Sequence, residues 1–191
     1  MTTPKSSDNG SISTAVPAKT TDRRFAWKTP DDLPADQRQA YDGILARRGK
    51  VPEPYRALLA SPDLAGQFEQ LAANMWKSGL AAEIIESIYL SVASWQQCAY
   101  QWQAHFPKAL EAGVTEEQVR QILARQALVP DSPLAAAIAF TEELQRDRHV
   151  SNATYERVTQ HFGDKGRANL LLAVSVATSI ALLLNVQHVD G

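Results

Sequence analysis

Residues 86–105, ESIYLSVASWQQCAYQWQAH, decide how this chain is read. Between Ile84 and Pro107 the only formally charged side chain is Glu86. The same stretch holds Cys98, the only cysteine of the chain, and His105, one of its four histidines. A carboxylate is seldom placed in an apolar helix without a partner, because burying an unpaired charge is costly. An isolated acid near a thiol and an imidazole therefore marks a candidate reactive site.

Working outward, residues 80–95 read as one helix, since the apolar run is too long for a typical strand and contains no Gly or Pro. Trp95, Gln96 and Gln97 allow a bend, and a second helix is expected to begin near Cys98. Within it Cys98, Gln101 and His105 stand at i, i+3 and i+7, which places them on one helix face. A thiol in the first turn feels the positive end of the helix dipole, which favours thiolate. If the two helices pack as a hairpin, Glu86 reaches the same pocket. Trp95, Tyr100 and Trp102 read as core, with Trp102 assigned to the pocket wall.

These residues resemble the signature of the carboxymuconolactone decarboxylase and alkyl hydroperoxidase D superfamily. That signature has a Glu, a Cys twelve residues on, a second Cys or a Glu three further, and a His four beyond. Glu86, Cys98, Gln101 and His105 fall on that spacing. The continuation PKALEAGVTEEQV is similar to the family's in the register of Leu110, Gly113, Thr115 and Val119, and PEPYRALLASPDLAGQFEQL is similar to the lead-in of longer members. The resemblance covers Leu33 to Val189. It implies an all-α, alkyl hydroperoxidase D-like helical bundle, with Glu86, Cys98 and His105 catalytic and Gln101 and Trp102 in the substrate pocket. Gln101 departs from the pattern, because peroxidase members have their second Cys there.

The resemblance implies two chemistries. One is cofactor-free decarboxylation of a small carboxylated lactone or keto acid, with His105, its pKa raised by Glu86, protonating the enolate left by CO2. The other is hydroperoxide reduction by the Cys98 thiolate, with Gln101 leaving only a single-cysteine cycle. A third reading is a non-catalytic oligomeric binding protein on the same scaffold.

Composition narrows the field. The chain has 191 residues, 45% of them hydrophobic and 21% charged, with a formal net charge of −2. That suits one soluble domain or two small packed halves. No cluster of Lys and Arg points to nucleic acid. One cysteine excludes an internal disulfide, and no HxxxH or HxH pair is present, so no metal site is expected. The N-terminus lacks an apolar core segment, so a cytoplasmic location is expected. A small-molecule substrate, no cofactor, no membrane and a homo-oligomer complete the expected profile.

Residues 1–24 are rich in Ser, Thr, Pro and Lys and read as a disordered tail ahead of a helical domain at 25–191. Helices are expected at about 34–48, ending at Gly49, in a short turn between the prolines of VPEPYRALLASP, and at about 62–78, ending at Gly79. Pro107 is expected to kink or restart the second signature helix. Thr115, with Gln118 completing a capping box, opens a helix at about 115–126. Further helices follow at about 132–147, from Ser151 or Asn152 to His161, and at about 165–188. The last has fifteen uncharged residues, Leu170 to Leu184, short of the roughly 20 needed to span a bilayer, and reads as a core or subunit-interface helix. His149, His161 and His188 read as surface. A weak repeat at an offset of 87 sets Gly79 against Gly166, Glu86 against Ala173 and Cys98 against Asn185, as an internal duplication of helical units would.

Overall fold

A computed structural model describes residue 24, residues 29–128 and residues 131–187. The expected tail lies outside the described residues apart from Arg24, whose amide donates to the Gln187 carbonyl at 2.8 Å. His188 lies outside them too. Among the described residues there are eight α-helices and no strand, so the fold is all-α. They are α1 (Ala35–Arg48), α2 (Glu53–Leu58), α3 (Pro62–Met75), α4 (Ala82–Trp95), α5 (Ala99–Glu111), α6 (Glu116–Leu123), α7 (Pro133–Asp147) and α8 (Asn152–Gln187).

Local chemistry explains most of the boundaries. Pro62 and Pro133 occupy the first turns of their helices, where a missing N–H costs nothing. Thr115 and Gln118 form the reciprocal capping box that the sequence predicts. Ser132 accepts from the Ala135 amide at 3.1 Å, and Ser151 from the Thr154 amide at 3.3 Å. Helix α4 ends in a Schellman motif: the Cys98 amide donates to the Ala93 carbonyl and the Gln97 amide to Ser94. Gln97 takes the left-handed position with φ 51°, a place that glycine usually fills. Arg125 does the same with φ 56° and stops α6 at Leu123, short of the expected residue 126.

Two expectations are corrected. Helix α5 does not restart at Pro107 but runs through it to Glu111. Pro107 is exposed, and so is Gln103 one turn earlier, so the carbonyl that loses its donor turns to water. The break in α8 falls at Gly163 (φ 63°, ψ −173°), not at Gly166, so the 87-residue register does not align the two glycine breaks. Gly163 divides α8 into the two helical segments expected on either side of it.

Helix α4 is the axis of the bundle. It packs against α5, α6, α7 and α8, and every residue from Ile84 to Ser94 is buried. The C-terminal segment of α8 lies beside it, with Ala173, Val174, Val176, Ala177, Ile180, Ala181 and Leu184 turned inward. By length and hydropathy α8 could cross a membrane, but it buries this face in the bundle and leaves Leu171, Leu182 and Val186 exposed.

Helices α1 and α3 are joined by a buried charge. Glu69 is 0% exposed and accepts from Arg47 Nε at 2.7 Å and from Arg48 Nε at 2.5 Å. Both arginines keep contact with solvent, which limits the loss if the acid is removed. We expect Glu69→Ala to cost about 2 kcal/mol, between the values for exposed and fully buried pairs. In a thermal melt that is a Tm drop of about 4–8 °C for a domain of this size. Glu117→Ala, which removes the exposed helical pair with Arg120, is expected to change stability by less than about 0.5 kcal/mol.

Candidate active site

Glu86 lies on α4 and His105 on α5, so the Schellman turn at residues 96–98 brings them face to face. Glu86 is buried, and its Oε2 stands 2.6 Å from His105 Nδ1. The carboxylate accepts, which assigns the Nδ1–H tautomer to the neutral ring and leaves Nε2 as the other face. Tyr89, one turn after Glu86, stacks on the imidazole with ring centroids 4.1 Å apart and planes 15° apart. Trp76 stacks on the far side of Tyr89 at 6.3 Å. The ring of His105 is thus fixed in plane by Tyr89 and in rotation by Glu86.

Electrostatics correct the sequence expectation for His105. Burial pulls its pKa below the ordinary 6.5, and the hydrogen bond and charge of Glu86 offset that only in part. Lys108, one turn on, pushes the same way as burial. The imidazole is therefore neutral at neutral pH. Burial also raises the phenol of Tyr89 far above its usual range, so it stays protonated.

A cavity of about 560 Å³ opens beside this pair. Glu86, Tyr89, Tyr100, Gln101 and His105 line it from α4 and α5, Tyr55 and Arg56 from α2, Trp76 from beyond the end of α3, and Ile180 and Leu184 from α8. Four cationic side chains border it, Arg48, Lys50, Arg56 and Lys108, against two carboxylates, Glu53 and Glu86. Arg48 is held by Glu69 and lies over the Tyr55 ring at 5.2 Å, so the buried pair described above also sets one wall of the cavity. Sequence reading missed Arg48, Tyr55, Tyr89 and Lys108. Three of them lie outside the signature stretch, and only the chain reversal through α2 brings Arg48 and Tyr55 to it.

The other site residues divide. Gln101 is 1% exposed, lines the cavity, and donates from Nε2 to the Tyr89 carbonyl at 3.1 Å. Trp102, expected on the pocket wall, points away into the core and stacks on Phe106; Tyr100 supplies the wall instead. Helical spacing explains this, because Trp102 is about 100° round the helix from Gln101. Cys98 is 1% exposed and does not border the cavity. The amides of Gln101 and Tyr100 at the start of α5 favour thiolate, as the dipole argument predicts, but burial outweighs them and pushes the thiol up to about 11.

A second buried carboxylate was not foreseen. Glu142 on α7 accepts from Ser91 Oγ at 2.7 Å and from Trp95 Nε1 at 2.6 Å, and burial raises its pKa. Both oxygens are engaged, so Glu142 clamps α7 to α4 on the side away from His105. The signal for it was the acidic pair that ends the apolar run LAAAIAFTEE.

Residues 62–143 match the model of the carboxymuconolactone decarboxylase family, a span running from α3 into α7 that contains Glu86, Cys98, Gln101 and His105. No curated protein matches the chain. Among solved structures, the chain is similar to an alkylhydroperoxidase AhpD core, an uncharacterized peroxidase-related protein from Ralstonia eutropha JMP134. The TM-score is 0.69 at 21% identity, over 88% of this chain and 92% of that one. At that identity the likeness speaks for the fold. The chain thus carries a segment, residues 62–143, that matches the carboxymuconolactone decarboxylase family, within a fold like that of an alkylhydroperoxidase AhpD core.

Proposed function

We propose that the cavity binds a small carboxylated lactone or keto acid and that the Glu86–His105 pair handles the proton in its cofactor-free decarboxylation. The observation that carries this reading is the cavity itself, a cation-rich wall facing an imidazole bound to a buried carboxylate. Substrates with a carbonyl β to the departing carboxylate need no electron sink from elsewhere. The electron pair of the breaking C–C bond moves into that carbonyl, CO2 leaves, and an enolate remains.

The enolate carbon must then be protonated. In the free protein His105 is neutral, but a substrate carboxylate in the cavity offsets the repulsion from Lys108 and adds its own attraction, so the imidazole takes up a proton on binding. Glu86 stabilises the imidazolium so formed. Nε2–H then delivers its proton to the enolate carbon, and the ring is recharged from solvent. Overall the carboxylate and one proton become the C–H product and CO2.

Hydroperoxide reduction by Cys98 has less support. Its thiol does not border the cavity and its thiolate is disfavoured at neutral pH. A non-catalytic binding protein would keep both the cavity and the Glu86–His105 tie, so measured turnover separates it from the decarboxylase reading.

His105→Gln should lower kcat/KM for decarboxylation by about 10²–10⁴, the span of general acid catalysis, while Cys98→Ala changes it by less than about threefold. Loss of turnover in Cys98→Ala with His105→Gln active would overturn the assignment. A pH profile gives an independent check. The donor is the protonated ring, so kcat/KM should fall about tenfold per pH unit above the free-protein pKa of His105, which lies below 6.5. The profile of kcat should break at higher pH, because bound substrate raises that pKa. A kcat/KM that rises with pH through this range would make His105 a base and not a donor.

A further inference from the structure

Gln101 has one polar atom in use and one without a protein partner. Its Nε2 donates to the Tyr89 carbonyl at 3.1 Å. A carbonyl can only accept, so this bond fixes the amide orientation: the flipped form would set oxygen against oxygen. Oε1 therefore points the other way. It is buried, and no donor among the described residues meets it. Buried acceptors of this kind are seldom left without a partner. Ser87 Oγ and Gln187 Oε1 are also unpaired, but neither residue borders the cavity, whereas Gln101 does.

We propose that Gln101 Oε1 is the substrate-recognition acceptor of the cavity, and that the ligand is a hydroxylated carboxylic acid whose O–H donates to it. This rests on the reading of the cavity as a carboxylate site. The anionic end lies toward the cationic side chains, and the hydroxyl lies against α5, one turn before His105. The apolar body of the ligand packs against the rings of Tyr55, Trp76 and Tyr89. A volume of about 560 Å³ suits a small aromatic or alicyclic acid of this type. A ligand hydroxyl that reaches Oε1 supplies the donor that this buried acceptor lacks. A ligand that lacks the hydroxyl leaves the acceptor bare.

The test measures binding by calorimetry, independent of turnover, with acids matched for shape. The pairs are mandelate with phenylacetate, 3-phenyllactate with 3-phenylpropanoate, and 3-(4-hydroxyphenyl)propanoate with 3-phenylpropanoate. At least one hydroxy acid should bind about tenfold or more tightly than its partner, the size of effect expected for a buried hydrogen bond. In Gln101→Met, which keeps length but removes the acceptor, that preference should collapse while the deoxy acids bind as well as before or better. Equal binding within every pair in the unaltered protein overturns the role of Gln101 and leaves the carboxylate reading standing. A preference that survives in Gln101→Met overturns it as well. Failure of all the acids to bind overturns both this inference and the carboxylate reading beneath it. The comparison within pairs needs only the unaltered protein, so it stands even if the variant does not fold.

Discussion

Helix α4 has no face left for water. With Ile84 to Ser94 all buried, its polar side chains can find partners only inside the bundle, and Ser87 Oγ finds none among the described residues. Glu86 finds His105 on α5, Ser91 finds Glu142 on α7, and Ser94 reaches the carbonyl of Leu123, the last residue of α6. Each of these contacts fixes a neighbouring helix relative to the axis. The Glu86–His105 pair is thus one of several polar ties, and it borders the cavity of about 560 Å³. The tie through Glu142 satisfies both carboxylate oxygens, whereas the tie to His105 uses one ring nitrogen of a residue that lines the cavity.

Burial also decides the electrostatics. At Cys98 it opposes the helix N-terminus and prevails, so the thiol is held protonated. At His105 it opposes Glu86 and prevails again, so the ring is held neutral. The two outcomes have different consequences. The thiol is enclosed and does not border the cavity. A neutral imidazole at a cavity wall can change state when an anion enters, because its surroundings then include a negative charge it did not have before. The cationic rim formed by Arg48, Arg56 and Lys108 attracts such an anion, and Glu69 keeps Arg48 in place from the far side of α1.

The sequence by itself determined the helices and the signature pair. Apolar spacing, capping residues and glycines act over one or two turns, so the Thr115 capping box and the stop of α1 at Gly49 were legible, whereas α3 ends at Met75, short of Gly79. The isolation of Glu86 in an uncharged stretch required a partner, and the helical hairpin made His105 the nearest candidate. Tertiary structure alone decided what the site can do. The pKa of a buried group depends on the dielectric and charges around it in space, and Lys108, Tyr89 and the depth of burial set that balance for His105. The cavity depends on chain segments far apart in sequence, so neither the cationic wall from α1 and α2 nor the replacement of Trp102 by Tyr100 could be read from spacing. The dipole argument for Cys98 was sound locally and was overruled by packing, which no periodicity encodes.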